Sequence, residues 1–318
     1  MSEYLDFEKP IMEIEEKIQK LRSYSGKSPA TLVEEIKKLE AKAREVQKEI
    51  YVKLTPWQKN QISRHPKRPH LSDYIPLLFK DFIELHGDRL YADDQALVGG
   101  LATFAERHVM IMGHAKGRTM KEKVQRNFGM PHPEGYRKAL RLMRLAEKFE
   151  KPVITFIDTP GAYPGLEAES RGVSEAIARN LMVMSRLRVP IISVVIGEGG
   201  SGGALALAVS DRILMLEHSV YSVISPEGCA AILWKDSGKA ESAAESLRIT
   251  AKDLRELGVI DNIVMEPAGG AHRNMGQAAQ SLSQALESHL NTLGSIPIDL
   301  LLEERYKKFK KMGVFGEA

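Results

Sequence analysis

The sequence predicts an α/β fold in which strand–turn–helix units recur along the chain. Three observations carry that expectation. Apolar runs of strand length alternate with stretches whose apolar residues recur every three or four positions. Candidate strands end near His114, Asp158 and Gly197, spaced roughly forty residues apart, as in a repeated unit. Past the second and third of these ends the chain turns rich in glycine and proline, where α/β folds keep their working loops.

The elements follow in chain order. Ile11, Ile14, Ile18 and Leu21 make one helical seam, and Leu32, Ile36, Leu39, Ala43, Val46 and Ile50 make another. Between them, 23–29 breaks the pattern with Ser, Gly and Pro. Pro29 suits a first helical turn, and Thr31 with Glu34 has capping-box spacing. Residues 1–60 therefore read as a helical hairpin that packs on the main domain or on a partner. Ser72 can cap a helix carrying Tyr74, Leu78, Phe82 and Leu85. Strands at 96–104 and 108–114 read as a hairpin through Ala105–Glu106–Arg107. Helix 133–149, strand 152–158, helix 168–187 and strand 190–196 follow. A glycine run then leads into a short helix through Ala208. Strands at 212–216 and 220–224, helices at 226–234 and 250–257, and strand 259–265 come next. Helices near 274–293 and 299–311 end the chain. The main domain is expected over 61–296, with 297–318 as a terminal helix and tail.

Composition removes several classes of function. The chain has 318 residues, 43% of them apolar and 27% charged, as in ordinary water-soluble domains. The acidic N-terminus has no secretory h-region, and the longest apolar run suits a buried strand rather than a membrane span. One cysteine, Cys229, forbids an internal disulfide and argues against a Cys-based zinc site; it fits a reducing cytoplasm. With 45 basic and 42 acidic residues the net charge is +3, too balanced to imply nucleic acid. Lys116, Arg118, Lys121, Lys123 and Arg126, then Arg137, Lys138, Arg141 and Arg144, cluster locally. They are either a solvated face or a field for an anionic, phosphate-bearing ligand.

Chemistry concentrates in three segments. In 196–205, Gly197, Gly199, Gly200, Gly202 and Gly203 follow a buried strand and open a helix. Glycine lets a ligand lie on the backbone, and the first helical N–H groups have no internal partner. They can form an anion site or oxyanion hole, or the run can be a close-packed turn. Gly197-x-Gly199-x-x-Gly202 also matches the dinucleotide fingerprint, with Glu217 near the expected distance, but the helix that follows is too short. In 155–165 a strand ends in Asp158–Thr159 and opens into a stiff loop, Pro160 to Gly165, with no companion carboxylate nearby in sequence. In 221–230 another strand turns into a helix that Ser225 can cap; Cys229 there reads as a small buried side chain. Walker, His-Glu-x-x-His and Gly-x-Ser-x-Gly patterns are absent, and the nine histidines suggest no ligand cluster. Backbone donors without an evident nucleophile, base or metal point to oxyanion or enolate chemistry on a reactive carrier.

Together, 126–130 (Arg-Asn-Phe-Gly-Met), 133–139, 158–165, 197–204, 222–228 and 269–273 (Gly-Gly-Ala-His-Arg) resemble, in the same order, the carboxyltransferase alpha subunits of bacterial acetyl-CoA carboxylases. The likeness spans nearly the whole chain. It implies a crotonase-like spiral of strand–strand–helix units behind the N-terminal hairpin. It implies transfer of a carboxyl group from carboxybiotin, held on a biotin carboxyl carrier protein, to acetyl-CoA, giving malonyl-CoA for fatty acid synthesis. A beta subunit, in an alpha2-beta2 complex, would bring a zinc ribbon and most of the acetyl-CoA site. A separate biotin carboxylase would use the ATP. Gly202 and Gly203 would hold the biotin carbonyl. Gly161, Ala162, Tyr163, Pro164 and Gly165, with Gly199 and Gly200, would line the cleft, and no metal would bind this chain. A carboxyltransferase for another acyl-CoA such as propionyl-CoA, a scaffold that only assembles partners, and an NAD-dependent dehydrogenase are the rival readings.

Overall fold

The computed structural model describes residues 4–24 and 30–313. Helices α1 (Lys9–Tyr24) and α2 (Ala30–Val52) form the N-terminal hairpin. Its seam closes on itself: Ile14, Ile18 and Ala43 are buried against Ile36, Leu39 and Val46. Helix α1 runs through Ser23, where a break was expected; Pro29 and the Thr31 side chain lie outside the described residues.

Helix α3 (Pro56–Ser63) has too weak a periodicity to be seen in the sequence. Its start is set by a capping box: Thr55 Oγ1 accepts from the Gln58 N–H, and Gln58 Oε1 accepts from the Thr55 N–H. Helix α4 (Leu71–Leu78) is capped at His70, not Ser72, with the Asp73 carboxylate accepting from the His70 N–H. It does not continue through Phe82 and Leu85. Pro76 removes a rung from a helix eight residues long, and the chain turns extended at Phe79 into β1 (Lys80–Glu84). Strands β2 (Leu97–Phe104) and β3 (Arg107–His114) form the expected hairpin. Its turn residues, Ala105 and Glu106, both have positive φ, as a two-residue hairpin turn demands.

The remaining elements are α5 (Met120–Gln125), α6 (Pro133–Lys148), β4 (Val153–Thr159), α7 (Leu166–Ser170), α8 (Val173–Arg186), β5 (Ile191–Gly200), α9 (Ser201–Leu205), β6 (Arg212–Leu216), β7 (Val220–Ser222), α10 (Pro226–Trp234), α11 (Ala240–Leu247), α12 (Ala251–Glu256), β8 (Asn262–Val264), α13 (Met275–Gly294) and α14 (Ile298–Lys310). The helix expected over 168–187 is two, because Gly172 takes a left-handed conformation between α7 and α8.

One sheet runs β1-β2-β3-β4-β5-β6-β8. The pairs β1–β2 and β2–β3 are antiparallel; those from β3 to β8 are parallel. Strand alternation sends Met110 and Met112 to one face, against Leu142 and Met143 of α6 and Met184 of α8. Val109 and Ile111 go to the other, against Leu71 and Tyr74 of α4 and Leu282, Leu286 and Leu290 of α13. The apolar stripes of α6 and α8 are thus largely spent on this chain's own core.

Two features set up the functional end of the sheet. Strand β5 is long and changes neighbour part-way. Residues Ile192–Val195 pair with β6, whereas Glu198–Gly200 pair with β7. The sheet therefore splits at Ile196–Gly197. Helix α14 anchors the other end of β5. Arg305, 1% exposed, forks onto Asp211 at 2.7 and 2.8 Å and donates to the carbonyls of Met184, Leu187 and Val189. Asp211 in turn accepts from the Ile191 N–H.

Candidate active site

The three segments singled out from sequence meet where β5 splits. The glycines at 197–200 lie inside β5 rather than in a loop, and the turn comes at Ser201, whose φ is 53°. Each glycine there answers a specific crowding. A Cβ at Gly197 would fall 2.2 Å from Asp158 Oδ1, and one at Gly200 would fall 2.1 Å from the Pro160 carbonyl oxygen. A Cβ at Gly199 would press on the Tyr221 ring at 2.9 Å. At Gly203 it would fall 2.5 Å from the Gly161 carbonyl carbon and 2.7 Å from the Ala162 nitrogen. The glycine run and the 158–165 loop are therefore packed backbone against backbone. This geometry disposes of the dinucleotide fingerprint: the first two of its glycines are in a strand, and only five helical residues follow.

Gly202 differs from its neighbours. A Cβ there would meet only Ile177, at 3.5 Å. Its backbone lines a groove of about 410 Å³ with Leu205, Ile213, Tyr221, Val223 and Phe309, an almost wholly apolar surface. Ser201, Gly202 and Gly203 form the first turn of α9, whose N-cap, Gly200, offers no side-chain acceptor. Their N–H groups thus get nothing from the cap or from within the helix.

The loop opposite is held from within. Thr159 Oγ1 donates to the Gly161 carbonyl and accepts from the Gly161 N–H. The Tyr163 N–H donates to Pro131, and the Tyr163 ring lies on His132 with centroids 4.2 Å apart. Gly165 gives that ring room: a Cβ there would be 2.4 Å from it. Pro164 is exposed.

Beneath these walls lies an ion-pair network that sequence reading missed. Asp158 has no companion carboxylate nearby in sequence, but folding brings it one in Glu198. Lys116 Nζ sits 2.8 Å from Asp158 and 2.9 Å from Glu198. Glu198 also takes Arg64 at 2.6 Å, and Arg64 reaches Glu227 on α10 at 2.6 Å. Burial opposes every one of these charges, yet the pairing wins. Both carboxyls are held below their usual range and Lys116 is held above its own. Burial pushes His114, beside Asp158, down to about 4, so it is neutral. Glu198 inside a glycine run and Lys116 in the basic cluster were visible signals; nothing local marked Arg64.

The basic cluster is mostly structural. Arg118 pairs with Asp73, Arg137 with Asp88 at 2.8 Å, and buried Lys138 with Asp93 at 2.5 Å. Arg126 and Arg141 donate to backbone carbonyls. Ser225 caps α10 as expected, accepting from the Gly228 N–H, and Cys229 is buried.

The motif at 269–273 holds the hairpin rather than the cleft. Gly269 and Gly270 have positive φ, and a Cβ at Gly269 would collide with Gln47 of α2. Here the histidines do cluster, contrary to expectation: Glu8, His65 and His272 each bring a ligand atom within 4.8 Å of the others. Their geometry is that of a clasp. The two rings stack at 4.1 Å, and Glu8 already accepts from Tyr51, the Leu5 N–H and Arg273.

Comparisons with known proteins agree with one another. The family described as acetyl co-enzyme A carboxylase carboxyltransferase-like matches residues 4–313. The acetyl-coenzyme A carboxylase carboxyl transferase subunit alpha of Nitrosomonas europaea is 60% identical over 312 residues, covering 98% of this chain and 97% of that one. Its counterpart in Shouchella clausii is 58% identical over 317 residues, 100% and 98% of the two chains. Among solved structures, transcarboxylase 12S matches with TM-score 0.51 and 22% identity over 63% of this chain and 38% of that one. The beta subunit of Pseudomonas aeruginosa geranyl-CoA carboxylase matches with TM-score 0.54 and 18% identity, over 84% and 48%. A Pseudomonas malonate decarboxylase matches with TM-score 0.56 and 16% identity, over 67% and 85%. These distant likenesses establish the crotonase-like fold, and the close ones establish the family. The chain belongs to the family of acetyl-CoA carboxylase carboxyltransferase alpha subunits.

Proposed function

We propose that the chain is the biotin-facing half of a split carboxyltransferase that makes malonyl-CoA from acetyl-CoA. The observation that carries this is the first turn of α9. Gly202 lines an apolar groove, Gly203 packs against the Gly161–Ala162 peptide, and neither N–H has a partner within the helix. A bicyclic group with one polar carbonyl edge and an apolar body suits that combination.

When bound, carboxybiotin supplies the carboxyl group, and its ureido oxygen gains negative charge as that group departs. The Gly202 and Gly203 amides are fixed donors for such an oxygen. Being preorganised, they need no rearrangement as charge develops. Gly199, Gly200 and the 161–165 loop shape the cleft, with Tyr163 braced on His132. Asp158 and Glu198 are engaged by Lys116 and Arg64 and are not offered as bases. Bound biotin would supply the base that these two carboxylates do not.

Donors for the acetyl-CoA enolate fall to a beta subunit, as does the zinc ribbon, for which this chain's one cysteine is too few. Biotin arrives on a carrier protein, and a biotin carboxylase spends the ATP. No described helix is long and apolar enough to cross a membrane. Co-purification from the native host followed by a malonyl-CoA assay tests the proposal. Recovery of a beta subunit with malonyl-CoA formation is expected. A complex that binds NAD and forms no malonyl-CoA would overturn it.

A further inference from the structure

We infer that Lys116 is a positioning residue for carboxyl transfer: by bridging Asp158 at the end of β4 and Glu198 in β5, it fixes the separation of the two walls of the glycine cleft. This rests on the carboxyltransferase reading above. Lys116 itself is not placed against substrate.

The two carboxylates stand at equivalent places. Asp158 lies two residues before Pro160, and Glu198 two residues before Gly200. Pro160 and Gly200 are the point where the walls touch, with the carbonyl oxygen of one 2.1 Å from the Cβ position of the other. Asp158 Oδ1 also accepts from the Glu198 N–H at 3.1 Å, so one oxygen holds both the Lys116 ammonium and the β5 backbone. Gly197 is the residue whose missing side chain makes room for that oxygen. Movement of either carboxylate is thus passed within a few residues to the Gly202–Gly203 turn or to the 161–165 loop.

The fold also invests in holding Lys116 still. Its stem lies under Gly129, where a Cβ would be 2.6 Å from Lys116 Cγ. That approach is made by three successive residues with positive φ, Asn127, Phe128 and Gly129. Two of them are not glycine, and such strain is kept where a geometry must be imposed. The ion pairs are poor glue in themselves. Buried charges lose their hydration, and apolar replacements of similar volume are often as stable. Burial favours the neutral forms, yet all three groups are held charged. What an apolar triad cannot supply is a directional link between two strand ends.

The test uses the full complex with the beta subunit. In the variant Lys116→Met/Asp158→Asn, the new carboxamide keeps an acceptor for the Glu198 N–H, and Glu198 keeps Arg64, so no buried charge is left bare. Unfolding midpoint, subunit assembly, kcat and the KM for acetyl-CoA are measured, with Lys116→Arg beside it. The expected result is normal assembly and midpoint, unchanged KM for acetyl-CoA, and kcat down by about 10²-fold, the scale of an ångström's misplacement. Lys116→Arg, which can still bridge both carboxylates, should recover most of the turnover. An assembled double variant with kcat near wild type would overturn the inference. So would a variant that simply fails to assemble or melts early, since Lys116 would then be structural. Wild-type complex without carboxyl transfer would defeat the functional reading first, before any variant is compared.

Discussion

Gly202 and Gly203 are the proposed oxyanion donors, and their surroundings differ. In sequence the two read as a pair. A Cβ at Gly203 runs into the Gly161–Ala162 peptide, so any substitution there also displaces the opposite wall. Gly202 is the cleaner probe, because a side chain at that position meets only Ile177 at ordinary distance. Gly202→Pro deletes one N–H in a first helical turn, where proline costs no intrahelical bond. It should assemble normally and lose about 10²–10³ in kcat, the usual cost of one oxyanion donor. Steady-state rates of the assembled complex check this; wild-type turnover would remove Gly202 from the donor set. The glycine pattern was legible because five glycines in seven residues exceed what a turn requires. The joining of Lys116, Glu198 and Arg64 was not, since they come from separate segments and meet only after folding.

At the scale of elements, sequence periodicity found most strands and long helices but misjudged their ends. Helix α4 stops short because Pro76 and the pairing of β1 with β2 override its apolar spacing. The glycine run reads as a loop, yet it is strand, because β7 supplies a second partner to β5 beyond the split. No local pattern announces a strand that changes neighbours. Helix α14 illustrates the same point: its anchor, Arg305, resembles any surface arginine in sequence and is 1% exposed in the fold. Arg305→Met should destabilise the chain by about 3–5 kcal/mol, because Asp211 is left buried without its cation. The urea midpoint of the purified chain measures it. An unchanged midpoint would mean that the α14 anchor does not contribute to stability.

The molecule as a whole should respond to acid through its buried histidines. Burial is the leading cause that pushes His70, His114 and His218 to about 4 and His272 to about 3. Each is neutral in the fold but takes a proton near 6.5 when unfolded. Between those values the unfolded chain binds more protons, so stability falls as pH falls. Each group contributes a slope of up to about 1.4 kcal/mol per pH unit. The buried carboxylates act lower. Burial alone would raise Glu266, but the Arg68 guanidinium outweighs it and holds that carboxyl at about 2. Its contribution is lost only as pH drops from 4.5 through that value. The urea midpoint should therefore decline from about pH 6.5 to about pH 4; a flat profile down to about pH 5 would contradict the neutral assignment.

The central claim is that this chain holds half of a site. Two developing negative charges, on the biotin carbonyl and on the acetyl-CoA enolate, need two sets of donors. Among the described residues we assign one set, at the start of α9. The most direct measurement is malonyl-CoA synthesis by the rigorously purified chain given free carboxybiotin and acetyl-CoA, repeated after adding the beta subunit. No product is expected from the chain alone, and turnover is expected once the beta subunit is present. Sustained malonyl-CoA synthesis by the single chain would contradict that claim.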